Sequence, residues 1–321
     1  MASSLNENQL IERIARRQSA NSSVAGLVIG IGDDAAIIRP TAGNDLLSCT
    51  DTLVSGVHFP ETTSAYDIGW KSLAVNLSDL AAMGAKPLYV QLALTLPQAD
   101  SNWLEGFLDG WFALAQQYNV QLIGGDTTCG PLSITVQAMG EVPAGAALLR
   151  SQAQAGDLLV VSGELGGAAL ALQYLQTGKP VEDDLLLRLN RPQPRLQLGE
   201  ELRGLASSAI DISDGLSVDL PRLLGRLGAT VQLNDLPVAD ALTELPAEVR
   251  WPFAISGGDD YELLFTLPRQ FNSQLQSLTE YLALPLTVIG EVQAAPIVEF
   301  KVAKQVYKPI VSGYQHFGNL K

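Results

Sequence analysis

The chain has 321 residues, of which 47% are apolar and only 17% are charged. This length predicts one large domain or two of medium size. Acidic residues outnumber basic residues by 34 to 20, which gives a formal net charge of -14. Such a balance argues against a nucleic-acid or anionic-membrane surface, because both partners require basic patches. A protein of this charge that handles phosphates would need divalent cations as a bridge.

The two cysteines, Cys49 and Cys129, lie far apart and lack the spacing of metal ligands. They are typical of a reducing compartment rather than of a disulfide framework. Residues 1–17 contain no apolar signal core, and the apolar stretch 157–175, which glycine and alanine punctuate, falls short of a membrane span. We therefore expect a soluble cytoplasmic protein with no membrane partner and no nucleic-acid partner.

The first half of the chain alternates between helical and extended patterns. Its predicted elements are a helix over 7–17, a Gly-rich loop over 30–34, a strand near 45–49, a helix over 66–83, a helix over 101–119, and strands of alternating apolar residues near 88–96 and 132–138. In the first helix, Leu10, Ile11 and Ile14 are expected on one apolar face. Helix 66–83 also carries a polar stripe that includes Asn76 and Asp79.

A change of composition near 143–157 indicates a junction between two domains, which we place over 1–148 and 149–321. The predicted elements of the second half are a strand over 158–162, a helix opened by Gly166 and Gly167, a mostly helical stretch over 183–205, a helix from Asp214 to Leu227, and strands near 229–233, 261–267 and 285–292. Sheet-forming strands separated by helices predict a mixed α/β (α+β) fold class.

Aspartate recurs in Gly-flanked turns at the ends of predicted elements. The five turns are 32–34, 50–51, 124–127, 211–215 and 257–260, and Asp79 adds a carboxylate on a helix. Mg²⁺ prefers oxygen ligands and, in phosphoryl-transfer sites, shares its shell with phosphate oxygens. One Gly-Asp pair is usually only a turn. Five in one chain indicate clustered like charges that need a compensating cation.

The usual signatures of nucleotide enzymes are absent from the sequence. It contains no G-x-x-x-x-G-K-[ST] loop and no protein-kinase motif set. The segment 211–215 differs from a calcium loop, because the twelfth position is Arg222 instead of Glu. With only two histidines and no supporting spacing, a Ser–His–Asp triad is disfavoured. From the sequence alone, His58 is as compatible with a structural role as with a functional one.

Taken together, six motifs resemble the thiamine-monophosphate kinase family. They are GIGDDAAII (30–38), TDTLVSGVHF (50–59), AVNLSDLAAMGAKP (74–87), IGGDTTCGPLS (123–133), DISDGLSVDL (211–220) and SGGDDYELLF (256–265). The resemblance runs in the same order from about residue 5 to GYQHF (313–317). DISDGL and the Asn-x-x-Asp helix are shared with a wider superfamily that includes aminoimidazole ribonucleotide synthetase. The segments 50–59 and 257–262 are similar to the thiamine family in particular.

The resemblance implies an N-terminal sheet domain that pairs with a second subunit in a homodimer, a C-terminal α/β domain, and an ATP cleft between them. It also implies Mg²⁺-dependent phosphorylation of thiamine monophosphate by ATP, giving thiamine diphosphate. The implied metal ligands are Asp34, Cys49, Thr50, Asp51, Asp79, Asp126, Asp211 and Asp214. Cys49 would contribute only its carbonyl oxygen, because a thiol is not a ligand for a hard ion.

Nucleotide contacts implied by the resemblance are Gly125, Asp126, Arg150 and Ser213, of which Asp126 and Arg150 are expected to be catalytic. The implied substrate contacts are His58, Asp259 and Tyr314. The family pattern has Glu-Asp after the glycine pair, whereas this chain has Asp259-Asp260. A bridging water would compensate for the shorter side chain of Asp259.

Two other functions stay open at this point. The first is another ATP-dependent synthetase of the same superfamily, which would activate an amide, a carboxylate or selenide. The absence of a reactive Cys motif near the N-terminus and the match over 50–59 and 257–262 argue against it. The second is a catalytically silent magnesium- or nucleotide-binding module. Loss of the acid at several ligand positions would have indicated such a module, and none is lost.

Overall fold

A computed structural model describes residues 5–19, 24–309 and 313–314 of the chain. The chain divides into a first unit, Met1–Leu80 with Ala85–Gly145, and a second unit, Ala81–Gly84 with Ala146–Lys321. The separate functions expected of the two domains stay predictions. Within the described residues, no helix has the length and apolar character needed to cross a membrane.

The first unit has helices near the positions that the apolar spacing predicts, whereas residues 124–127, predicted as a turn, lie within a strand. Its elements are α1 (Glu7–Ser19), β1 (Leu27–Ile29), β2 (Ile37–Ile38), β3 (Asn44–Val54), α2 (Ala65–Ala82), β4 (Lys86–Leu96), α3 (Ser101–Gln117), β5 (Gln121–Cys129) and β6 (Ser133–Pro143). Strand β3 is longer than the predicted strand near 45–49 and extends through Thr50 and Asp51. These two residues therefore lie within a strand rather than in a turn after it.

The four-stranded sheet of the first unit has the order β3-β6-β4-β5. Strand β6 is antiparallel to both β3 and β4, whereas β4 and β5 are parallel. Thr50 lies opposite Gln137, and Asp126 lies beside Ala93. Because β3 and β5 are the two outer strands, the register places Thr50 and Asp126 on opposite margins of one sheet.

Apolar residues at helical spacing form the core of the first unit. Leu73, Leu77, Leu104 and Phe107 are fully buried, which confirms the predicted apolar faces of α2 and α3. Of the three residues predicted on one face of α1, Leu10 and Ile14 are buried, whereas Ile11 is 39% exposed. In α1 the buried positions follow steps of four from Leu10, and Ile11 lies at the border of that face.

The second unit contains a larger sheet with shorter helices. Its elements are β7 (Leu158–Ser162), α4 (Gly167–Gln176), α5 (Asp183–Asn190), α6 (Leu196–Leu202), β8 (Ser208–Asp211), α7 (Leu216–Leu224), β9 (Gly228–Gln232), α8 (Asp240–Thr243), α9 (Ala247–Ser256), β10 (Leu263–Leu267), α10 (Gln274–Leu282), β11 (Leu286–Gln293), β12 (Val298–Val302) and β13 (Gln305–Tyr307). Short 3₁₀ helices cover Leu233–Asp235 and Arg269–Phe271.

The seven strands of the second unit have the order β13-β12-β9-β11-β7-β10-β8. Only β9 and β12 pair in parallel within this sheet; the other described pairs are antiparallel. Leu263 at the start of β10 lies opposite Asp211 at the end of β8. The loop that leaves β8 and the loop that enters β10 therefore meet at one end of the sheet.

Candidate active site

A cavity of about 780 Å³ lies in the first unit. Four residues that the sequence implicates in metal or nucleotide binding line it: Asp34, Thr50, Gly125 and Asp126. The volume falls within the range of roughly 300–1,000 Å³ that is typical of small-molecule sites. The structure therefore brings residues from the Gly-rich loop and from strands β3 and β5 to one concave surface.

The lining of this cavity also includes the apolar residues Ile11 and Ile14 of α1. Helix α1 is fixed beside the sheet by Gln18, whose side-chain oxygen accepts a hydrogen bond from the backbone N–H of Leu122 at 2.9 Å. A cavity with both apolar side chains and carboxylates can accept a ligand with a flat apolar part and an anionic part that binds through cations. This position also accounts for the exposure of Ile11.

Gly125 is required by the close approach of strands β4 and β5. A Cβ atom at this position would lie 1.8 Å from the carbonyl oxygen of Leu92, and the φ angle is +151°. No other residue fits this backbone without moving it. Gly125 therefore allows β5 to lie close against β4 at the position next to Asp126.

Helix α2 holds strand β3 through Asn76 at the place where Asp51 lies. The side-chain oxygen of Asn76 accepts a hydrogen bond from the backbone N–H of Asp51 at 3.0 Å. Its side-chain amide donates to the carbonyl oxygen of Ser72 at 3.1 Å, and Asn76 is fully buried. The polar stripe of α2 therefore has two functions: Asn76 fixes the strand, and Asp79, one turn further, supplies a carboxylate.

Cys49 lies beside these acids. Its thiol donates to the carbonyl oxygen of Asn76 at 3.4 Å. Burial raises the pKa of the Cys49 thiol, and the charges of Asp79 and Asp51 raise the pKa further. The thiol of Cys49 therefore stays protonated. Both carboxylates lie close enough to the Cys49 sulfur for their charges to raise its pKa.

His58 follows β3 and is held by the end of that strand. Its Nδ1 accepts a hydrogen bond from the backbone N–H of Val54 at 2.9 Å, and its own backbone N–H donates to the carbonyl oxygen of Val54 at 3.0 Å. Because Nδ1 is an acceptor, the neutral imidazole carries its proton on Nε2. The ring orientation is thus fixed, with Nε2 as the donor.

In the second unit, Asp219 organises the loop 211–215. Its Oδ2 accepts hydrogen bonds from the backbone N–H groups of Ser213 at 3.1 Å and Asp214 at 3.0 Å. Helix α7 begins at Leu216 rather than at Asp214 as predicted, because its N-cap residue Gly215 has a non-helical φ angle of +101°. The role of Asp219 was missed at the sequence level, although the residue lies within the DISDGLSVDL motif.

The acids of this loop are partly compensated by Arg222. Its Nη1 donates to Oδ2 of Asp214 at 2.5 Å and to Oδ1 of Asp219 at 2.9 Å. Burial raises the pKa of the Asp219 carboxyl to about 6, and the charges of Asp214 and Asp211 act in the same direction. The N–H group of Asp214 and the Arg222 charge oppose this increase in the pKa. The loop thus concentrates negative charge around Asp211 and Asp214.

Two sequence-distant residues with an implied substrate role meet this same loop through their backbones. The N–H of Asp259 donates to the carbonyl oxygen of Ser213 at 2.8 Å. The N–H of Tyr314 donates to the carbonyl oxygen of Asp214 at 3.1 Å. Tyr314 is 44% exposed, so its ring is accessible. Residues 315–317 of the GYQHF motif lie outside the described residues. Asp259, Tyr314 and loop 211–215 thus form one cluster.

Arg150 is exposed in a turn at the start of the second unit. Its expected catalytic role stays a prediction.

The donor atoms on these surfaces fit Mg²⁺, because they are carboxylate and hydroxyl oxygens. Within the part of the chain that the structure describes, no group of three or more His, Cys, Asp or Glu side chains is arranged to hold a metal ion by itself. Mg²⁺ in phosphoryl-transfer enzymes is usually bound by one or two carboxylates, with phosphate and water oxygens completing its shell. Asp51 and Asp79 both raise the pKa of the Cys49 thiol; their expected role as Mg²⁺ ligands stays a prediction.

Comparison with known protein families agrees with this architecture. The family model of the AIR synthase related protein N-terminal domain matches residues 32–142, and that of the AIR synthase related protein C-terminal domain matches residues 154–303. The fold and the two matches define a two-domain protein of the AIR synthase related class.

More specific relatives cover almost the whole chain. A curated protein named thiamine-monophosphate kinase from Escherichia coli (strain K12) is 46% identical over 298 residues, which is 90% of each chain. The crystal structure of thiamine-monophosphate kinase from Stenotrophomonas maltophilia K279a is 48% identical, has a TM-score of 0.85 and covers 94% of this chain and 98% of that one. The chain belongs to the thiamine-monophosphate kinase family.

A further solved structure is described as AaThiL complexed with AMPPCP and TMP. It is 29% identical, with a TM-score of 0.74, and covers 98% of this chain and 97% of that one.

Proposed function

We propose that this protein transfers the γ-phosphoryl group of ATP to thiamine monophosphate, giving thiamine diphosphate and ADP. The observation that carries this proposal is the 46% identity to a thiamine-monophosphate kinase over 90% of each chain. The related structure that holds AMPPCP, a non-hydrolysable ATP analogue, together with TMP supports the two substrates. The lining of the first-unit cavity by Gly125 and Asp126 supports a nucleotide site there.

In this proposal Gly125 and Asp126 contact the phosphates of the nucleotide, and the apolar side chains of Ile11 and Ile14 accept its base. Ser213 and Arg150 are the further nucleotide contacts that the family resemblance implies. The guanidinium of Arg150 would spread positive charge over the phosphoryl group in transfer.

Mg²⁺ would be held by the carboxylates and hydroxyl of the implied ligand set, with the Cys49 carbonyl as the one backbone contribution. These residues are Asp34, Cys49, Thr50, Asp51, Asp79, Asp126, Asp211 and Asp214. When bound, the cations neutralise the negative charges of the two anionic substrates. The excess of acidic residues in the chain supports such an arrangement, because the protein itself offers few cations to polyphosphate.

The acceptor substrate is positioned by His58, Asp259 and Tyr314. The fixed His58 ring would donate from Nε2 to a phosphate oxygen, since Nδ1 already accepts from Val54. The exposed ring of Tyr314 would stack on a ring of the thiamine moiety. Asp259 would reach the substrate through a water, because its side chain is one methylene shorter than the Glu of the family pattern.

The chemical step is a direct in-line displacement. An oxygen of the thiamine monophosphate phosphate forms a bond to the γ-phosphorus, the bond from that phosphorus to the β–γ bridging oxygen breaks, and ADP leaves with the electron pair. A phosphate oxygen is already ionised near neutral pH, so no strong general base is needed. A site with many carboxylates and few histidines agrees with catalysis by alignment and charge neutralisation.

We also propose that the protein acts as a cytoplasmic homodimer. The apolar side chain of Leu46 on the outer strand β3 is 42% exposed, which supports a further partner at this margin of the sheet. A reducing compartment agrees with the two free cysteines.

A coupled assay tests the proposal with purified protein, ATP, Mg²⁺ and thiamine monophosphate, with the products resolved by chromatography. We expect equal, Mg²⁺-dependent amounts of ADP and thiamine diphosphate. Consumption of ATP without thiamine diphosphate would overturn the proposal in favour of a related synthetase. Binding of ATP without any reaction would overturn it in favour of a silent binding module.

A further inference from the structure

A buried ion pair lies directly behind the loop that carries Asp259. Arg195, at the start of α6, donates from Nε to Oε2 of Glu262 at 2.7 Å, and its Nη2 donates to Oε1 of the same carboxylate. The Glu262 side chain is 6% exposed and the Arg195 side chain 25%. A two-pronged contact of this kind fixes the plane of the carboxylate as well as its position.

Ser162 completes the environment of this carboxylate. Its hydroxyl donates to Oε2 of Glu262 at 2.5 Å and accepts a hydrogen bond from the backbone N–H of Leu263 at 2.9 Å. The next residue, Gly163, leaves the necessary space, because a Cβ atom there would lie 2.2 Å from Oε1 of Glu262. Strand β7, helix α6 and the start of β10 thus meet at one side chain.

The backbone of Glu262 lies where the two loops of the site join. The N–H of Ile212 donates to the carbonyl oxygen of Glu262 at 2.8 Å. In return, the N–H of Tyr261 donates to the carbonyl oxygen of Ile212 at 2.9 Å. Two residues before Tyr261, the backbone N–H of Asp259 donates to the carbonyl oxygen of Ser213. A fixed Glu262 therefore fixes the path of the chain from residue 259 to residue 262 against the loop that follows β8.

The segment that is held in this way has an unfavourable backbone conformation. Asp259 has a φ angle of +66° and Tyr261 a φ angle of +51°, although neither is glycine. Such conformations persist only where surrounding contacts impose them. Glu262 directly follows Tyr261 and lies three residues after Asp259, so its contacts are well placed to impose this conformation.

We propose that Arg195 is a positioning residue for the acceptor substrate: through Glu262 it holds the loop 258–262 in the conformation that presents Asp259. The role of Asp259 in this statement rests on the proposed function, whereas the control of the loop by Arg195 does not. Lysine cannot replace arginine here, because a single ammonium group does not reproduce the planar two-pronged contact.

Hydrogen–deuterium exchange of the loop tests the inference without any assay of activity. The Arg195→Lys protein is compared with wild type and with Arg269→Lys, which alters an exposed ion pair with Glu291 in the same unit. We expect the amides of Asp259 and Tyr261 to exchange at least about tenfold faster in Arg195→Lys, while peptides from β9 and β11 keep their protection. Arg269→Lys should match wild type. Unchanged exchange over 258–262 in Arg195→Lys would overturn the inference.

Steady-state kinetics then separate positioning from general loss of structure. For Arg195→Lys we expect the KM for thiamine monophosphate to rise roughly tenfold and by a clearly larger factor than the KM for ATP, because Arg195 acts on loop 211–215 only through the loop 258–262. Equal increases in both KM values, or a loss of activity that only follows the melting temperature, would contradict a positioning role.

A second variant covers the case in which Arg195→Lys does not fold. Ser162→Ala removes one contact to Glu262 and should raise the KM for thiamine monophosphate by a smaller factor. An unchanged KM would count against the inference.

If wild type itself does not phosphorylate thiamine monophosphate, the proposed function fails, but the exchange experiment still decides whether Arg195 controls the loop.

Discussion

The side chain of Asn76 holds the backbone of Asp51 through a hydrogen bond of 3.0 Å from the N–H of Asp51 to the side-chain oxygen of Asn76. Asn76 is fully buried in α2, and Asp79 lies three residues later on the same helix. One buried amide therefore ties the backbone of Asp51 in a strand to the helix that carries Asp79, and both residues are proposed to bind Mg²⁺.

Replacement of Asn76 by alanine should weaken both folding and the response to Mg²⁺. The variant leaves the buried N–H of Asp51 without its acceptor, which costs about 1–3 kcal/mol. We also expect a higher Mg²⁺ concentration for half-maximal activity, because Asp51 is no longer fixed. Urea unfolding and Mg²⁺ titrations measure the two effects, with Asn102→Ala on the exposed start of α3 as the control. An unchanged Mg²⁺ requirement would contradict the positioning of Asp51 by Asn76.

Gly125→Ala should destabilise the first unit by about 2 kcal/mol or more, because the added Cβ meets the Leu92 carbonyl oxygen at 1.8 Å. Gly43→Ala is a matched control, since Gly43 also has a positive φ angle of +85° but no atom within 4 Å of the added carbon. We expect the control to cost only about 1–2 kcal/mol from backbone strain. Thermal unfolding of both variants measures the difference. Equal losses would show that contact with Leu92 is unimportant.

Asp126→Ala should lower kcat/KM by roughly a thousandfold without unfolding the protein. Asp126 is exposed in the cavity wall, so its removal leaves no buried group unsatisfied. Activity and melting temperature are measured together, with Asp183→Ala on the surface of α5 as the control. Retained activity in a well-folded Asp126→Ala protein would count against the proposed metal and nucleotide contact.

Asp219 should make stability depend on pH in Mg²⁺-free buffer. Burial raises its pKa from 3.8 to about 6 in the folded protein. Between these two values the folded state binds more protons than the unfolded state, so the free energy of unfolding increases as the pH falls from about 6 to 4. The contribution is fully present below the unfolded pKa and is lost as the pH rises through the folded pKa. Its size is on the order of 2–3 kcal/mol.

Asp219→Asn removes the group that titrates and should remove this part of the pH dependence. Urea unfolding of the wild type and the variant at several pH values between 4 and 7 gives the difference between their free energies of unfolding. The contributions of the other carboxylates are the same in both proteins and cancel in this difference. Parallel curves for the two proteins would contradict the raised pKa of Asp219.

The elements with long periodic patterns could be predicted from the sequence. Helices α2 and α3 and strands β4 and β6 each present many residues at one spacing, and all four were found near the predicted positions. Strand β8 was not predicted, because it has four residues that are all buried. A short strand that is buried on both faces shows no alternation between apolar and polar residues.

The residues that orient the site were harder to predict than those proposed to bind ligands. Motif resemblance implicated Asp211, Asp214 and Asp259, but nothing in the sequence indicated that Asp219 caps the loop or that Asn76 fixes β3. The pair of Arg195 and Glu262 joins positions 67 residues apart. Contacts of this kind depend on the tertiary fold and leave no periodic signal.

Transfer of a labelled phosphate tests the central claim most directly. The protein is incubated with Mg²⁺, thiamine monophosphate and ATP that carries ³²P in the γ position. The products are separated early, before the labelled products themselves react further. We expect the label in thiamine diphosphate, in an amount equal to the ADP formed. Label released as inorganic phosphate, with no labelled thiamine diphosphate, would contradict direct transfer between the two substrates.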